Sequence, residues 1–316
     1  MWNNIKPQVL SVVNEIGRVY WALLRILVPA TIVVKFLEEI GATTWLASAI
    51  SPVMGIVGLS DGMGLVWAVA ILTNIYTAMV VFYNLALTDT VTVAQATILG
   101  SMILIAHGIP VEGAVAKAIG FGWRLTLLVR VGGAIFYGFV LHQIYTLTGA
   151  GSEAINLVWQ PEISASPSLL EWGILQVTLF LSILGIISAL IILLRLLRWI
   201  GVEALMHRLL SPLLRTLTIG KEAANITIVG MTLGLTFGAG LLIDEVKKGH
   251  INKRDTILVV GFLSLCHSII EDTFLILLLG ADLWGILWGR ALFAIIVIAV
   301  WGRLMKSNSN LAAESR

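Results

Sequence analysis

The sequence AHGIPVE at residues 106–112 lies in the middle of an apolar run that extends from Thr97 to Gly120. A second sequence, CHSIIED at residues 266–272, lies in the same way inside the apolar run 257–280. Each stretch places an imidazole and a carboxylate within about one and a half helical turns of one another. Ionisable groups are costly at a depth where a bilayer leaves little water, so both stretches are candidate functional sites.

The composition is that of an integral membrane protein. Of the 316 residues, 58% are hydrophobic and 12% are charged, and the mean hydropathy is +0.97. Soluble domains carry about 25% charged residues, and this length accommodates roughly ten spans of about 20 residues. The net charge of +2, without a basic stripe, predicts no nucleic-acid partner. We therefore expect a multi-pass protein of the cell membrane, or of the inner membrane in a bacterium, with the lipid bilayer as its partner.

The hydropathy pattern predicts an all-α polytopic protein with two internal repeats of about five helices each. The first repeat is expected over residues 1–148, a polar linker over 149–171 and the second repeat over 172–316. Each repeat includes a short helix, Pro-broken or re-entrant, at 42–59 and at 202–219.

The two halves align without gaps at an offset of 267 − 107 = 160 residues. Several residues with special backbone or electrostatic roles coincide at this offset: Gly41 with Gly201, Ser51-Pro52 with Ser211-Pro212, His107 with His267, Gly120 with Gly280, Arg130 with Arg290, Lys35 with Arg195 and Glu112 with Asp272. The coincidence of prolines, glycines and charges at one offset indicates a duplication.

The distribution of Lys and Arg favours an inverted arrangement of the halves. If 42–59 and 202–219 both cross the membrane, one side collects most of the basic residues, whereas the other holds the linker with Glu153 and Glu162. The positive-inside rule predicts such an asymmetry, with both termini cytoplasmic. The alternative is a surface helix at each short segment, because charges such as His207 are costly in lipid, and this gives four crossings per half.

Two histidines and the acids near them are the strongest candidates for chemistry. His267 and Glu271 are four residues apart and share a face of a continuous helix, whereas Pro110 is expected to kink the helix that carries His107. If the halves share one composite site, the two imidazoles should lie within roughly 12 Å of each other, given the usual pocket size.

Polar residues elsewhere in apolar sequence extend this set. Asn74 lies within the apolar run 62–87, Asn225 lies at the start of its counterpart, and Arg130 and Arg290 need acidic partners, for which Glu112 and Asp272 are the obvious candidates. The predicted residues for binding a solute or ion are His107, Glu112, His267, Glu271, Asp272, Asn74, Asn225, Arg130 and Arg290. The alternative for each is a packing role, in which buried polar pairs hold helices together.

Signatures of enzymes are absent from the sequence. We find no P-loop, nucleophile elbow, His-Glu-x-x-His zinc helix or Rossmann fingerprint. The sequence therefore predicts a protein that is not an enzyme and has no cofactor or resident metal.

Two Ser-Pro pairs, at 51–52 and 211–212, are each followed by a helix rich in small residues. This doubled unit, over about 19–146 and 174–302, resembles the Gate or nucleoside-recognition family. That family includes membrane segments of ferrous-iron transporters of the B type, regions of concentrative nucleoside transporters, and the paired sporulation membrane proteins A and B. The resemblance implies a transporter or channel-like module with two Gate units and leaves its ligand open.

The sequence thus predicts a transporter or permease that moves a small polar solute or an ion, with a nucleoside-like solute as one candidate. One alternative is a non-transporting membrane scaffold of the sporulation-protein type. Another is a divalent-metal transporter component, which would use His107, Glu112, His267 and Glu271, because imidazole and carboxylate suit several divalent metals. A homo-oligomer or a paired membrane partner is compatible with each.

Overall fold

The structure, a computed structural model, is all-α, as the hydropathy pattern predicts. It describes residues 2–86, 90–157, 168–201 and 251–314, together with a few single positions between 202 and 250. Within those residues there is no strand, and one isolated bridge joins Thr92 to Ala154.

The described helices are numbered in chain order. The first eight are α1 (Trp2–Glu39), α2 (Ala42–Ile56), α3 (Asp61–Leu72), α4 (Ile75–Ala86), α5 (Val93–Ile105), α6 (Ile109–Ala118), α7 (Trp123–Leu127) and α8 (Gly133–Thr148). The others are α9 (Leu169–Trp199), α10 (Lys253–Leu265), α11 (Glu271–Leu277) and α12 (Arg290–Glu314). Two π-helical turns, π1 (Leu128–Gly132) and π2 (Trp284–Gly289), directly precede α8 and α12.

The chain has helices of membrane-spanning length and composition. Within the described residues five segments qualify: Leu10–Val33, Val93–Ala118, Trp123–Thr148, Leu169–Leu197 and Trp284–Met305. A sixth candidate span is the pair Ser48–Ile56 and Asp61–Leu72, which is bent by 99°. The first short segment, 42–59, thus contributes α2 to a bent pair, whereas most of 202–219 lies outside the described residues. The inverted topology stays a prediction.

The apolar run 62–87 is not one helix. It breaks at Thr73 and Asn74, so that α3 and α4 are separate. The Asn74 side-chain oxygen accepts hydrogen bonds from the backbone N–H of Thr77 at 3.0 Å and from its hydroxyl at 3.2 Å. Thr and Asn favour caps over helix interiors because their side chains compete for backbone groups, and here this local chemistry stops one helix and starts the next.

Local geometry recurs at the offset of 160 residues. The bounds of α5 and α10 differ by this number at both ends. Each helix is capped by the residue before it: Thr92 accepts from the backbone N–H of Gln95 at 3.2 Å, and Asn252 accepts from that of Asp255 at 2.8 Å. These caps satisfy backbone donors that a helix start leaves free. The division into two complete repeats stays a prediction, because residues 202–250 are mostly outside the described part.

The start of the expected linker belongs to the packed structure. The backbone N–H of Val93 donates to the Glu153 carbonyl at 3.0 Å, and that of Ile155 donates to the Val91 carbonyl at 3.0 Å. The next described helix, α9, begins at Leu169, slightly before the boundary predicted from composition.

Hydrogen bonds tie the two halves together at the π2 turn. The Tyr137 hydroxyl donates to the Gly285 carbonyl at 2.7 Å, and the Thr97 hydroxyl accepts from the backbone N–H of Asp282 at 2.7 Å. The first half therefore contacts the second directly, and this brings the two histidine stretches together in the interior.

Candidate functional site

Both histidines lie at breaks between helices. The chain leaves α5 after Ile105 and enters α6 at Ile109, and it leaves α10 after Leu265 and enters α11 at Glu271. The residue after each histidine has a left-handed backbone: Gly108 has φ 56° and Ser268 has φ 46°. Ser268 is the single non-glycine residue with positive φ among those described. Such a conformation is costly for a serine, and strained backbone of this kind clusters at functional sites.

The prediction that Pro110 kinks the helix carrying His107 is wrong. Pro110 lies in the first turn of α6, where the missing N–H would have no helical partner in any case. Gly108, which reverses the sign of φ just before it, makes the break instead.

The prediction that His267 and Glu271 share one helical face is also wrong, because α11 begins only at Glu271. The Glu271 carboxylate turns elsewhere and accepts a hydrogen bond from the Tyr76 hydroxyl at 3.2 Å. Its neighbour Asp272, which aligns with Glu112, takes the position beside the histidines.

The two imidazole rings face each other. His107 Nε2 and His267 Nε2 are 3.4 Å apart, and the ring centroids are separated by 5.1 Å. The two rings are therefore much closer than the roughly 12 Å expected of one composite site. Residues that align at the offset of 160 are here in direct contact.

Each ring is held by a carbonyl of the preceding turn. His107 Nδ1 is 2.8 Å from the Ile103 carbonyl oxygen, and His267 Nδ1 is 2.7 Å from that of Leu263. A carbonyl only accepts hydrogen bonds, so each Nδ1 carries the proton that it donates. In the neutral rings, both Nε2 atoms therefore present lone pairs to one another.

Two carboxylates complete a group that we call the central cluster: His107, His267, Glu112 and Asp272. Glu112 Oε1 is 3.5 Å from Nε2 of each histidine, and Asp272 Oδ2 is 3.8 and 3.9 Å from the same two atoms. The cluster is shielded from solvent, since the exposed fraction of the side chain is 2% for His267 and 15% for Glu112. Two acids and two rings in such surroundings favour the binding of positive charge.

Arg130 supports the first-half side of the cluster. Its guanidinium is fully buried, pairs with Glu112 Oε2 and donates from Nε to the Ile105 carbonyl at 2.8 Å. The break after α5 leaves this carbonyl without a helical partner, so Arg130 satisfies it. Arg130 lies in π1, and π turns often redirect side chains at functional sites. The pairing of Arg130 with Glu112 agrees with the expectation from sequence.

The corresponding pair of the second half is not formed. Arg290 is also fully buried, but it donates to the Thr273 hydroxyl, at 3.4 Å. Its Nε and Nη1 atoms and Asp272 Oδ2 have no hydrogen-bond partner where the structure describes the chain. The prediction that Asp272 pairs with Arg290 is therefore wrong for this conformation. The two halves differ in this ion pair.

Asn74 lies outside the central cluster. Its side-chain oxygen caps α4, while Nδ2 is buried without a hydrogen-bond partner within the described structure. Asn225 lies outside the described residues. The end of α3 nevertheless contacts the first break, because the Ala70 carbonyl accepts from the backbone N–H of Gly108 at 2.9 Å.

Two features of the site were missed from sequence. Tyr76 gave no signal, because it is one aromatic residue in an apolar run. The carbonyls that hold the rings lie four residues before each histidine, a spacing that the helical repeat makes available and that could have been recognised.

Comparison with known proteins supports the membrane assignment. A protein of Bacillus subtilis (strain 168) described as "Uncharacterized membrane protein YvoD" is 30% identical over 284 residues, which cover 88% of this chain and 88% of that protein. No family model matches the chain, and no solved structure matches it significantly. The relative's description names no Gate unit, nucleoside or transported solute. Together with the helices of membrane-spanning length, the similarity shows that this chain is a membrane protein of the same family as YvoD.

Proposed function

We propose that this protein is a membrane transporter that carries a small ion or polar solute through the central cluster. The observation that carries the proposal is the meeting of two broken helices at two imidazoles and two carboxylates inside a membrane protein. Ionisable groups in this setting are expensive, and in transporters they bind the solute or the coupling ion. Broken helices at such sites free backbone groups and allow rearrangement.

The difference between the halves supports an alternating cycle. In this conformation Glu112 is paired with Arg130, whereas Asp272 and Arg290 are apart. In the proposed cycle the second state closes the Asp272–Arg290 pair and opens the first. Rocking of one repeat against the other around a fixed site is the usual means of alternating access in such folds.

The Gate resemblance agrees with this proposal. It rests on the Ser-Pro pairs at 51–52 and 211–212, and it adds a nucleoside-like solute to the candidates. The proposal assigns no catalytic reaction to the protein.

A non-transporting scaffold is the second candidate. The burial of the central cluster favours a scaffold, because buried polar groups can hold packed helices in register. In a scaffold, the cluster would only stabilise the contact between the two halves.

Reconstitution into liposomes separates the two functions. Vesicles containing the protein and the pH dye pyranine would be given a valinomycin-imposed potassium potential, and then supplied with radiolabelled uridine, Mn²⁺ or Zn²⁺. We expect the wild type to carry protons or at least one of these probes faster than protein-free vesicles, and His107→Gln to abolish that flux. His142→Gln is the matched control, since His142 contacts Thr146 on α8 and is not a cluster member. Wild-type vesicles that match empty ones for every probe would reject transport and favour the scaffold.

A further inference from the structure

We propose that the central cluster binds one divalent transition-metal ion through Nε2 of His107, Nε2 of His267 and Oε1 of Glu112. These three atoms belong to side chains that can hold a metal ion together. The inference specifies the cation of the proposed function and rests on the same site, but metal binding is measurable without transport.

The distances between the three atoms fit such an ion. They form a nearly equilateral triangle with sides of 3.4, 3.5 and 3.5 Å. A point equidistant from the corners lies about 2.0 Å from each, which matches usual Zn–N distances of about 2.0–2.1 Å and Zn–O distances of about 2.0–2.2 Å. A tetrahedral ion with these bond lengths spaces its ligands about 3.3–3.4 Å apart, so the side chains are almost in place.

The protonation of the rings points the same way. Both Nδ1 atoms donate to carbonyl oxygens, so in the neutral rings both Nε2 lone pairs are directed into the triangle. Lone pairs at 3.4 Å repel each other unless a proton or a metal cation lies between them. Histidines that bind metals almost always donate the other ring N–H in this manner, which fixes the tautomer.

The surroundings supply orientation and a fourth ligand. Arg130 holds Glu112 Oε2 and so turns Oε1 towards the rings. Asp272 Oδ2 lies 3.8 and 3.9 Å from the two Nε2 atoms and is buried without a hydrogen-bond partner in the described structure. Movement of this oxygen towards the two Nε2 atoms would make it the fourth ligand. Otherwise the fourth position is left for water or a solute.

The ligand set selects the class of metal. Two imidazoles with one or two carboxylates suit Zn²⁺, Co²⁺ and Mn²⁺. Mg²⁺ and Ca²⁺ prefer six or more oxygen ligands and several waters, which this compact nitrogen-rich triangle does not offer.

Equilibrium binding to purified, chelator-stripped protein in detergent tests the proposal. Co²⁺ would be titrated and followed by its visible d–d absorption, and Zn²⁺ would then be added in competition. We expect one ion per chain, a tetrahedral-type spectrum, displacement by Zn²⁺ and no displacement by excess Mg²⁺. His107→Gln and His267→Gln should each weaken binding at least about 100-fold, since changes to residues that only orient a ligand already cost 10–100-fold. His142→Gln should bind like the wild type.

X-ray absorption of the Zn²⁺-loaded wild type gives an answer that needs no variant. We expect the scattering pattern of two imidazoles, and a shell of oxygen alone would overturn the proposal. So would unchanged Co²⁺ binding in both folded histidine variants. If two imidazoles bind the metal but the liposomes show no flux, the proposal of transport is rejected and the metal site is kept. Solute flux by a wild type that binds no transition metal would reject the metal site and keep the proposal of transport.

Discussion

Glu112 and Asp272 align in sequence, but removing their charges should have unequal effects on stability. Glu112→Gln keeps the shape of the side chain and leaves the fully buried Arg130 without its anion. Breaking a buried ion pair on one side costs about 3–5 kcal/mol, because the remaining charge is uncompensated. Asp272→Asn removes a buried charge that has no Arg partner in this structure, so we expect a cost below about 1 kcal/mol.

The difference is large enough for a simple measurement. A loss of 1 kcal/mol lowers Tm by about 2–4 °C in a chain of 150–250 residues and by about 2 °C in a longer one, so in this chain of 316 residues Glu112→Gln should lower Tm by roughly 6–10 °C. Asp272→Asn should shift it by no more than about 3 °C. The 11 Trp residues provide an intrinsic fluorescence signal for thermal melts in detergent.

A double variant checks the cause. Adding Arg130→Gln to Glu112→Gln removes both charges, so the cost of the uncompensated charge should disappear, while the Ile105 carbonyl loses its donor and keeps part of the stability loss in place. Equal Tm shifts for the two single variants would refute the assignment of an asymmetric ion pair.

Three further outcomes follow from the sequence and the packing. In a variant whose native cysteine is replaced, a cysteine introduced at Ser152 should react with an impermeant reagent outside intact cells. A cysteine introduced at Ser307 should not react, since positive charge favours cytoplasmic termini. Equal labelling of the two positions would contradict the inverted topology. Gly100→Ala should lower the free energy of unfolding by about 1–3 kcal/mol in a chemical-denaturation assay, because the added Cβ would overlap a side chain of α11. In the same assay Gly173→Ala should be neutral or stabilising, because its Cβ meets open space. Ser268→Gly should raise Tm by a few degrees by relieving the left-handed backbone, and an unchanged or lower Tm would argue against strain there.

The amino-acid sequence by itself determined the membrane character and the helical class. These follow from composition and hydropathy, since a bilayer requires long apolar helices with internally satisfied backbones. The offset of 160 residues also identified His107 and His267 as equivalents, and their proximity followed from the expectation of one composite site. The acid partner of Arg130 was predictable for a similar reason, because a charge buried in an apolar run requires a counter-charge.

Only the tertiary structure decided which acid faces the rings. From spacing alone, Glu271 shares a helical face with His267, but this holds only in an unbroken helix. The chain breaks after Leu265, and α11 then presents Asp272 to the central cluster and Glu271 to Tyr76. A local sequence window contains no information about the position of Tyr76, which is 195 residues away along the chain.

The asymmetry between Arg130 and Arg290 was likewise decided by packing. Their aligned positions predict two equal ion pairs, yet Arg130 reaches its acid and Arg290 reaches Thr273. Equivalent sequences specify equivalent local chemistry, whereas the relative placement of neighbouring helices sets each distance between side chains. A protein that holds its two halves in different arrangements can therefore pair one set of charges and separate the other.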